Sequence, residues 1–263
     1  MTISLNMLIH EPEGAATAPP LVVAHGLFGS ARNFFSLGRK LATNRKIVLV
    51  DMRNHGESGW DDDVTYSAMA DDLAMVIHTA CDGRAVVMGH SMGGKAAMAL
   101  ALAHPDLVAA MIVADIAPVP YTHTHLPIVE AMLAADLSGV SRRSDGDAVM
   151  AAAIPDPMLR AFILQNLVIE DGSARWRLNA AALAAGMPHL LDWPREFDNL
   201  TFQGSVRAIY GGASTHMSAS NEADMRRHFP SVTMEGIPDA GHWLHAEKPA
   251  EFLAAVQAFL SEI

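Results

Sequence analysis

Five consecutive residues constrain this chain more than any others: Gly89-His90-Ser91-Met92-Gly93 stands directly after the apolar run Ala85 to Met88 and directly before the helix-like stretch Gly94 to Ala103. A strand that turns at once into a helix forces the residue at the turn into a strained backbone conformation, so its flanking positions must be glycine or another small residue. Such a turn exposes the Ser91 hydroxyl. It also aims the first helical amides, with the Met92 N–H foremost, at the same place, where the helix dipole favours negative charge. These parts suit attack by a serine oxygen followed by capture of the oxyanion it creates.

Apart from that turn, the chain reads as one α/β domain with room for an insertion, at 263 residues. Apolar residues make up 51% of it, enough for a core on both faces of a parallel sheet, while the longest apolar runs, such as Ala96 to Ala103, are too short to cross a bilayer. No membrane insertion is expected. The start, Met1 to Asn6, has neither the basic residues nor the apolar stretch of a secretory signal, and Cys81 is the only cysteine, which together point to the cytoplasm. Twenty-nine acidic against eighteen basic side chains give a formal charge of −11, which argues against nucleic acid and anionic lipid as partners. Oligomeric state is not written in the sequence.

Apolar runs alternate with Ala-rich helical periodicity, as in a mostly parallel sheet flanked by helices. The spacing predicts strands at Leu21 to Ala24, Lys46 to Asp51, Ala85 to Met88, Met111 to Asp115, Val206 to Tyr210 and Val232 to Gly236, and a final helix from Pro249 to Phe259. Their C-terminal ends share one edge, and that edge holds the ligand crevice in open α/β sheets. Residues 1–118 and 201–263 form the expected core. Residues 119–200 lose the alternation and read as helices broken by Pro127, Pro155, Pro157, Pro188 and Pro194, an inserted helical cap. Its apolar positions, among them Leu133, Leu137, Met150, Phe162, Leu164, Leu167, Leu183 and Met187, suit either its own core or the wall of an acyl pocket.

A serine hydroxyl needs a base, and Gly241-His242-Trp243 supplies one after the last predicted strand and before the final helix. His245 is the second choice. His123 and His125 have the look of a metal pair but no third ligand at useful spacing, so they are assigned to the cap surface and no metal site is expected.

The chain resembles the α/β-hydrolase superfamily and, within it, the small bacterial esterases of the YbfF type. The resemblance rests on His25-Gly26-Leu27-Phe28-Gly29-Ser30, Asp51 to Ser58, Gly89 to Lys95, Asp115 to Pro118 and Gly241 to Pro249, and spans nearly the whole chain. It implies a serine esterase with no cofactor, acting on a small-molecule acyl ester or thioester, in which the backbone N–H of Leu27 joins that of Met92 as oxyanion donor. Phe28, Phe34 and Trp243 are expected to line an apolar substrate site, with His25 beside it. Many superfamily members carry the acid of the triad after the strand corresponding to Val206 to Tyr210, but Gly211 to Ser218 holds no carboxylate, and Glu222 and Asp224 follow only later. Some members carry it at the strand end occupied by Asp115, which is the residue chosen; a turn aspartate is the plainer alternative. Asp51 is expected to tie down the Arg53 to Ser58 loop. The serine argues against relatives with a carboxylate nucleophile, whereas acyl transfer, carbon–carbon cleavage, lyase and perhydrolase chemistry keep the serine, and a non-catalytic binding protein would keep only the pocket.

Overall fold

The computed structural model describes residues 1–122 and 124–263, so His123 lies outside the described residues. The strands are β1 (Met7–His10), β2 (Leu21–Ala24), β3 (Ile47–Val50), β4 (Ala85–His90), β5 (Val108–Ala114), β6 (Leu167–Glu170), β7 (Ser173–Trp176), β8 (Ser205–Gly211) and β9 (Val232–Ile237). The helices are α1 (Phe35–Leu41), α2 (Tyr66–Ala80), α3 (Met92–Ala103), α4 (Leu126–Ala134), α5 (Arg143–Met150), α6 (Pro157–Ile163), α7 (Ala180–Ala185), α8 (Met187–Leu191), α9 (Glu222–His228), α10 (Leu244–Glu247) and α11 (Pro249–Leu260).

Seven strands form one sheet in the order β1-β3-β2-β4-β5-β8-β9. Every neighbouring pair is parallel except β1 with β3. All six expected strands are present within a few residues of their expected ends; β1 is the addition, a four-residue edge strand with one exposed side chain and none fully buried, too little apolar signal to read. Side chains alternate between two cores as the strand period of two requires. Leu21, Val23, Ile47 and Leu49 pack with α1 and α11, whereas Val22, Ala24, Val48 and Val50 pack with α2 and α3. Helix α2 starts at Thr65, whose side chain accepts from the Ala68 N–H, and buries Met69, Leu73, Val76 and Ile77 along one stripe. Helix α3 is buried all round, so the small side chains of Ala96, Ala97, Ala99 and Ala101 let it lie close between the sheet and its neighbours.

The chain runs from β2 outwards to β3 and then back past β2 to β4, so the strand order reverses between β2 and β4. That reversal opens a crevice at the C-terminal ends of these two strands. Between β5 and β8 come α4 to α8 and the antiparallel hairpin β6–β7, where the expectation was helices alone. The hairpin turns through Asp171 and Gly172, both at positive φ. Of the apolar residues anticipated in this segment, Met150, Leu164, Leu167, Leu183 and Met187 are buried, Leu137 and Phe162 half-buried, and Leu133 exposed.

Candidate active site

Seven non-glycine residues have positive φ among the described residues, and five of them, Phe28, Asn54, Ser91, Asp115 and Asp239, lie just after β2, β3, β4, β5 and β9. Asn and Asp tolerate the left-handed region through local hydrogen bonds. Phe28 and Ser91 have no such preference, so strain is concentrated at these two. Ser91 sits at φ 52° and ψ −119° between β4 and α3, its N–H bonded to the Ala114 carbonyl at 3.0 Å. A Cβ at Gly89 would stand 2.1 Å from the Gly93 oxygen, and one at Gly93 would stand 2.4 Å from the Ala24 oxygen. The two glycines are therefore demanded by close backbone approach.

The structure brings Ser91, His242 and Asp115 into one hydrogen-bonded line. Ser91 Oγ and His242 Nε2 are 3.0 Å apart, and His242 Nδ1 and Asp115 Oδ2 are 2.7 Å apart. Asp115 is fully buried and also accepts from the Gly211 N–H at 2.9 Å and from the Ser214 hydroxyl. Burial pushes its carboxyl up to about 6, with the Ser214 and Gly211 bonds pulling the other way. An ionised Asp115 accepts from Nδ1–H, which leaves Nε2 as the acceptor for the Ser91 hydroxyl. Glu222 pairs with Arg226 at 2.7 Å and Asp224 is exposed on α9, so neither serves His242.

The loop after β2 is held by neutral imidazoles. His55 Nε2 accepts from the Phe28 N–H at 3.2 Å while its Nδ1 bonds the Arg53 carbonyl at 2.9 Å, and burial keeps its pKa down at about 3. His25 is only 1% exposed, with Nε2 accepting from the Met52 N–H at 2.9 Å and Nδ1 bonded to the Gly26 carbonyl at 2.8 Å. His25 borders the cleft as expected of its position, with both ring nitrogens bonded to backbone. With the Phe28 N–H on His55 and the Gly29 N–H on Gly26, the Leu27 N–H is left without an acceptor among the described residues, as is that of Met92 at the start of α3. Asp51 accepts from Asn6, Ala31 and Glu57, so it ties the loops together as expected.

Ser91 stands between two lobes of the cleft. The first is walled by Phe28, Phe34, Leu159, Phe162 and Trp243, and the second by Met92, Ile116, Tyr121, Met187 and Leu190; Leu27 and His125 border both. Phe28 and Trp243, expected beside the substrate, both stand on the wall of the first lobe. His125 is not on the outer surface as expected: it is half-buried and meets Phe28 edge to face at 5.9 Å. His245 stacks on Phe34 at 4.6 Å behind His90, half-buried, and desolvation holds it well below the usual imidazole range.

Three side chains here were not singled out from sequence. Ser214 bonds Asp115, and His216 stacks on the His242 ring at 3.6 Å and 17°. Both come from the loop after β8, noticed only for its lack of a carboxylate. Lys95, one turn along α3 from Ser91, is buried and donates to the carbonyls of Leu191 at 3.1 Å and Asp192 at 2.7 Å, with the Tyr121 ring 4.8 Å away. Asp115, His216 and His242 offer donor atoms within 4.8 Å of one another. Parallel stacking of the two rings does not converge their lone pairs, and the His242 nitrogens already face Asp115 and Ser91, so the arrangement fits proton transfer better than a metal.

Comparison with known proteins gives a consistent result. The sn-1-specific diacylglycerol lipase ABHD11 of Mus musculus is 36% identical over 99% of this chain and 86% of its own length. Esterase YbfF of Escherichia coli K12 is 34% identical over 99% of this chain and all of its own. The solved structure of a marine microorganism esterase superposes with a TM-score of 0.91 at 32% identity, covering 98% of this chain and all of that one. No helix among the described residues is long and apolar enough to cross a membrane. The family model for the α/β hydrolase fold matches residues 19–249, and the chain belongs to that family.

Proposed function

We propose that the protein is a serine hydrolase of carboxylic esters, with thioesters as the allied substrate class, working through an acyl-serine intermediate. The observation that carries this reading is the unbroken line from buried Asp115 through His242 to Ser91, at 2.7 and 3.0 Å. His242 takes the Ser91 proton as the oxygen attacks the acyl carbon, and the amides of Leu27 and Met92 receive the oxyanion. The imidazolium returns its proton to the departing alcohol or thiol. It then activates a water that releases the acid and restores Ser91, while Asp115 steadies the charge on His242. The reaction needs no metal or organic cofactor.

The segment between β5 and β8 acts as a cap in this reading, since Leu159 and Phe162 from α6 and Met187 and Leu190 from α8 reach the two lobes beside Ser91. Apolar walls favour acyl groups of small to medium length. A cytoplasmic setting belongs to the same reading, supported by the single cysteine, Cys81, which is buried and unbridged. The test is hydrolysis of p-nitrophenyl acyl esters across chain lengths by the parent and by Ser91→Ala and His242→Ala, with an organophosphonate label on Ser91. Loss of turnover in both variants, with labelling of the parent alone, is expected; full activity in Ser91→Ala would refute the reading.

A further inference from the structure

Phe28 belongs to two cavities. One is the first lobe beside Ser91; the other is lined, besides Phe28, by Ser30, Arg32, Arg143, Gln165, Asn166 and Arg177. Three arginines line it from three separate parts of the chain: Arg32 from the turn after β2, Arg143 from the start of α5 and Arg177 from just beyond β7. No carboxylate lines this cavity, although acidic residues outnumber basic ones by 29 to 18 in the chain. Like charges that line one cavity repel, and an anion bound among them relieves that repulsion.

Only one of the three has an acidic partner among the described residues. Arg177 pairs with Glu57 at 3.0 Å, but its Nε is buried with no hydrogen-bond partner among the described residues. A buried donor left unmade is uncommon and calls for an acceptor. Arg143 donates to the neutral Leu164 carbonyl, and neither it nor Arg32 is in an ion pair among the described residues. Asn166, 3% exposed, braces the site by donating to the carbonyls of Phe28 at 2.8 Å and Ile163 at 3.2 Å. The same contact ties this cavity to the strained loop that carries the Leu27 N–H.

We propose that Arg32, Arg143 and Arg177 form a phosphate-binding site. A phosphate monoester carries close to two negative charges and three terminal oxygens, enough to engage three guanidinium forks, whereas a carboxylate offers two oxygens and one charge. Because Phe28 is the shared wall, the phosphate comes either from the alcohol or thiol part of the substrate or from the free anion. The substrate alternative rests on the ester-hydrolase reading; the binding itself does not.

The experiment titrates sodium phosphate at constant ionic strength into the parent, Arg32→Gln and Arg143→Gln by calorimetry, both arginines being exposed and outside the catalytic line. Saturable binding by the parent is expected, weakened by about tenfold or more in each variant, with p-nitrophenyl butyrate hydrolysis changed by less than about twofold. A parallel arm compares butyrylglycerol phosphate with butyrylglycerol. A preference of the parent for the phosphorylated ester that falls about tenfold in both variants assigns the site to the substrate's phosphate. Equal kcat/KM on the two esters, together with arginine-dependent phosphate binding, assigns it to the free anion. No saturable phosphate binding and no such preference in the parent overturns the proposal, as does binding that both variants retain in full. Arginine-dependent phosphate binding by a protein that cleaves no ester would sink the hydrolase reading and leave the phosphate site standing.

Discussion

Replacing Lys95 by methionine tests how a buried ammonium is held one helical turn from Ser91. Burial lowers the pKa of Lys95 from its ordinary 10.5 to about 7, with Asp192 pulling weakly the other way. At about 1.4 kcal/mol per pH unit, keeping that side chain in the folded protein costs ~4 kcal/mol at pH 7, where half of it is already neutral. The group's folded pKa lies below its unfolded one, so the unfolded chain binds the extra proton between about pH 7 and 10.5. The penalty is complete below that window, shrinks as pH rises through it and vanishes above it. Methionine keeps the length and removes the charge, but it strips the Leu191 and Asp192 carbonyls of their Lys95 donor at ~1–3 kcal/mol each; the Leu191 carbonyl still accepts from the Tyr121 N–H at 2.9 Å. The net change at one pH is therefore a small difference between opposing effects. Its pH dependence is not, because Tyr66 and Tyr121, the rings beside Lys95, are both pushed above their ordinary range and do not titrate in the window. Urea unfolding of parent and Lys95→Met at pH 7 and pH 9 should show the parent gaining ~2 kcal/mol on the variant over those two units. A gap that stays constant to within ~0.5 kcal/mol would show that Lys95 does not carry its charge where the structure places it.

Asp115→Asn should lower kcat by roughly three to four orders of magnitude with an unchanged circular dichroism spectrum, since the amide can offer His242 the wrong group at Nδ1. The ionised Asp115 that His242 requires is lost as pH falls through about 6, so kcat/KM of the parent should fall on the acid side of that value, and a profile flat down to pH 5 would refute the link. Arg53→Met should destabilise by ~3–5 kcal/mol in urea unfolding, because Arg53 Nε bonds Asp72 at 2.7 Å with both side chains fully buried and the variant strands the carboxylate.

What the sequence made legible is what the backbone dictates. Ser91 could be read because Gly89 and Gly93 are imposed by contacts under 2.5 Å that any side chain would break, a local requirement that leaves a local trace. Asp115 could be read because it ends the apolar run of β5, and His242 because it follows the last strand, β9, and precedes the final helices. The hairpin β6–β7 could not: its four-residue strands are half-exposed and carry no long alternation, and its Asp171-Gly172 turn is one weak signal in a proline-broken stretch. Lys95, Ser214 and His216 also escaped, and His125 was assigned to the wrong place, for a different reason. Their meaning depends on what tertiary packing lays against them, such as the Leu191 carbonyl 96 residues from Lys95, or the His242 ring against His216. The backbone bonds of the two His25 nitrogens were hidden from the sequence for the same reason.

The strained residues connect these two kinds of information. Among the seven described non-glycine residues at positive φ, five are Asn or Asp, for which the left-handed region is an ordinary choice. The exceptions are Phe28 and Ser91, one on each side of the strand-order reversal. Each is adjacent to an amide, that of Leu27 or that of Met92, left without an acceptor among the described residues. Two residues that disfavour their own backbone conformation persist only where the surroundings hold them there. For Phe28 the holding groups are His55 on its N–H and Asn166 on its carbonyl; for Ser91 they are the Ala114 carbonyl and helix α3. Local preference is thus overridden beside the two amides that the proposed mechanism assigns to the oxyanion, and the Asn166 contact brings the segment between β5 and β8 into that arrangement.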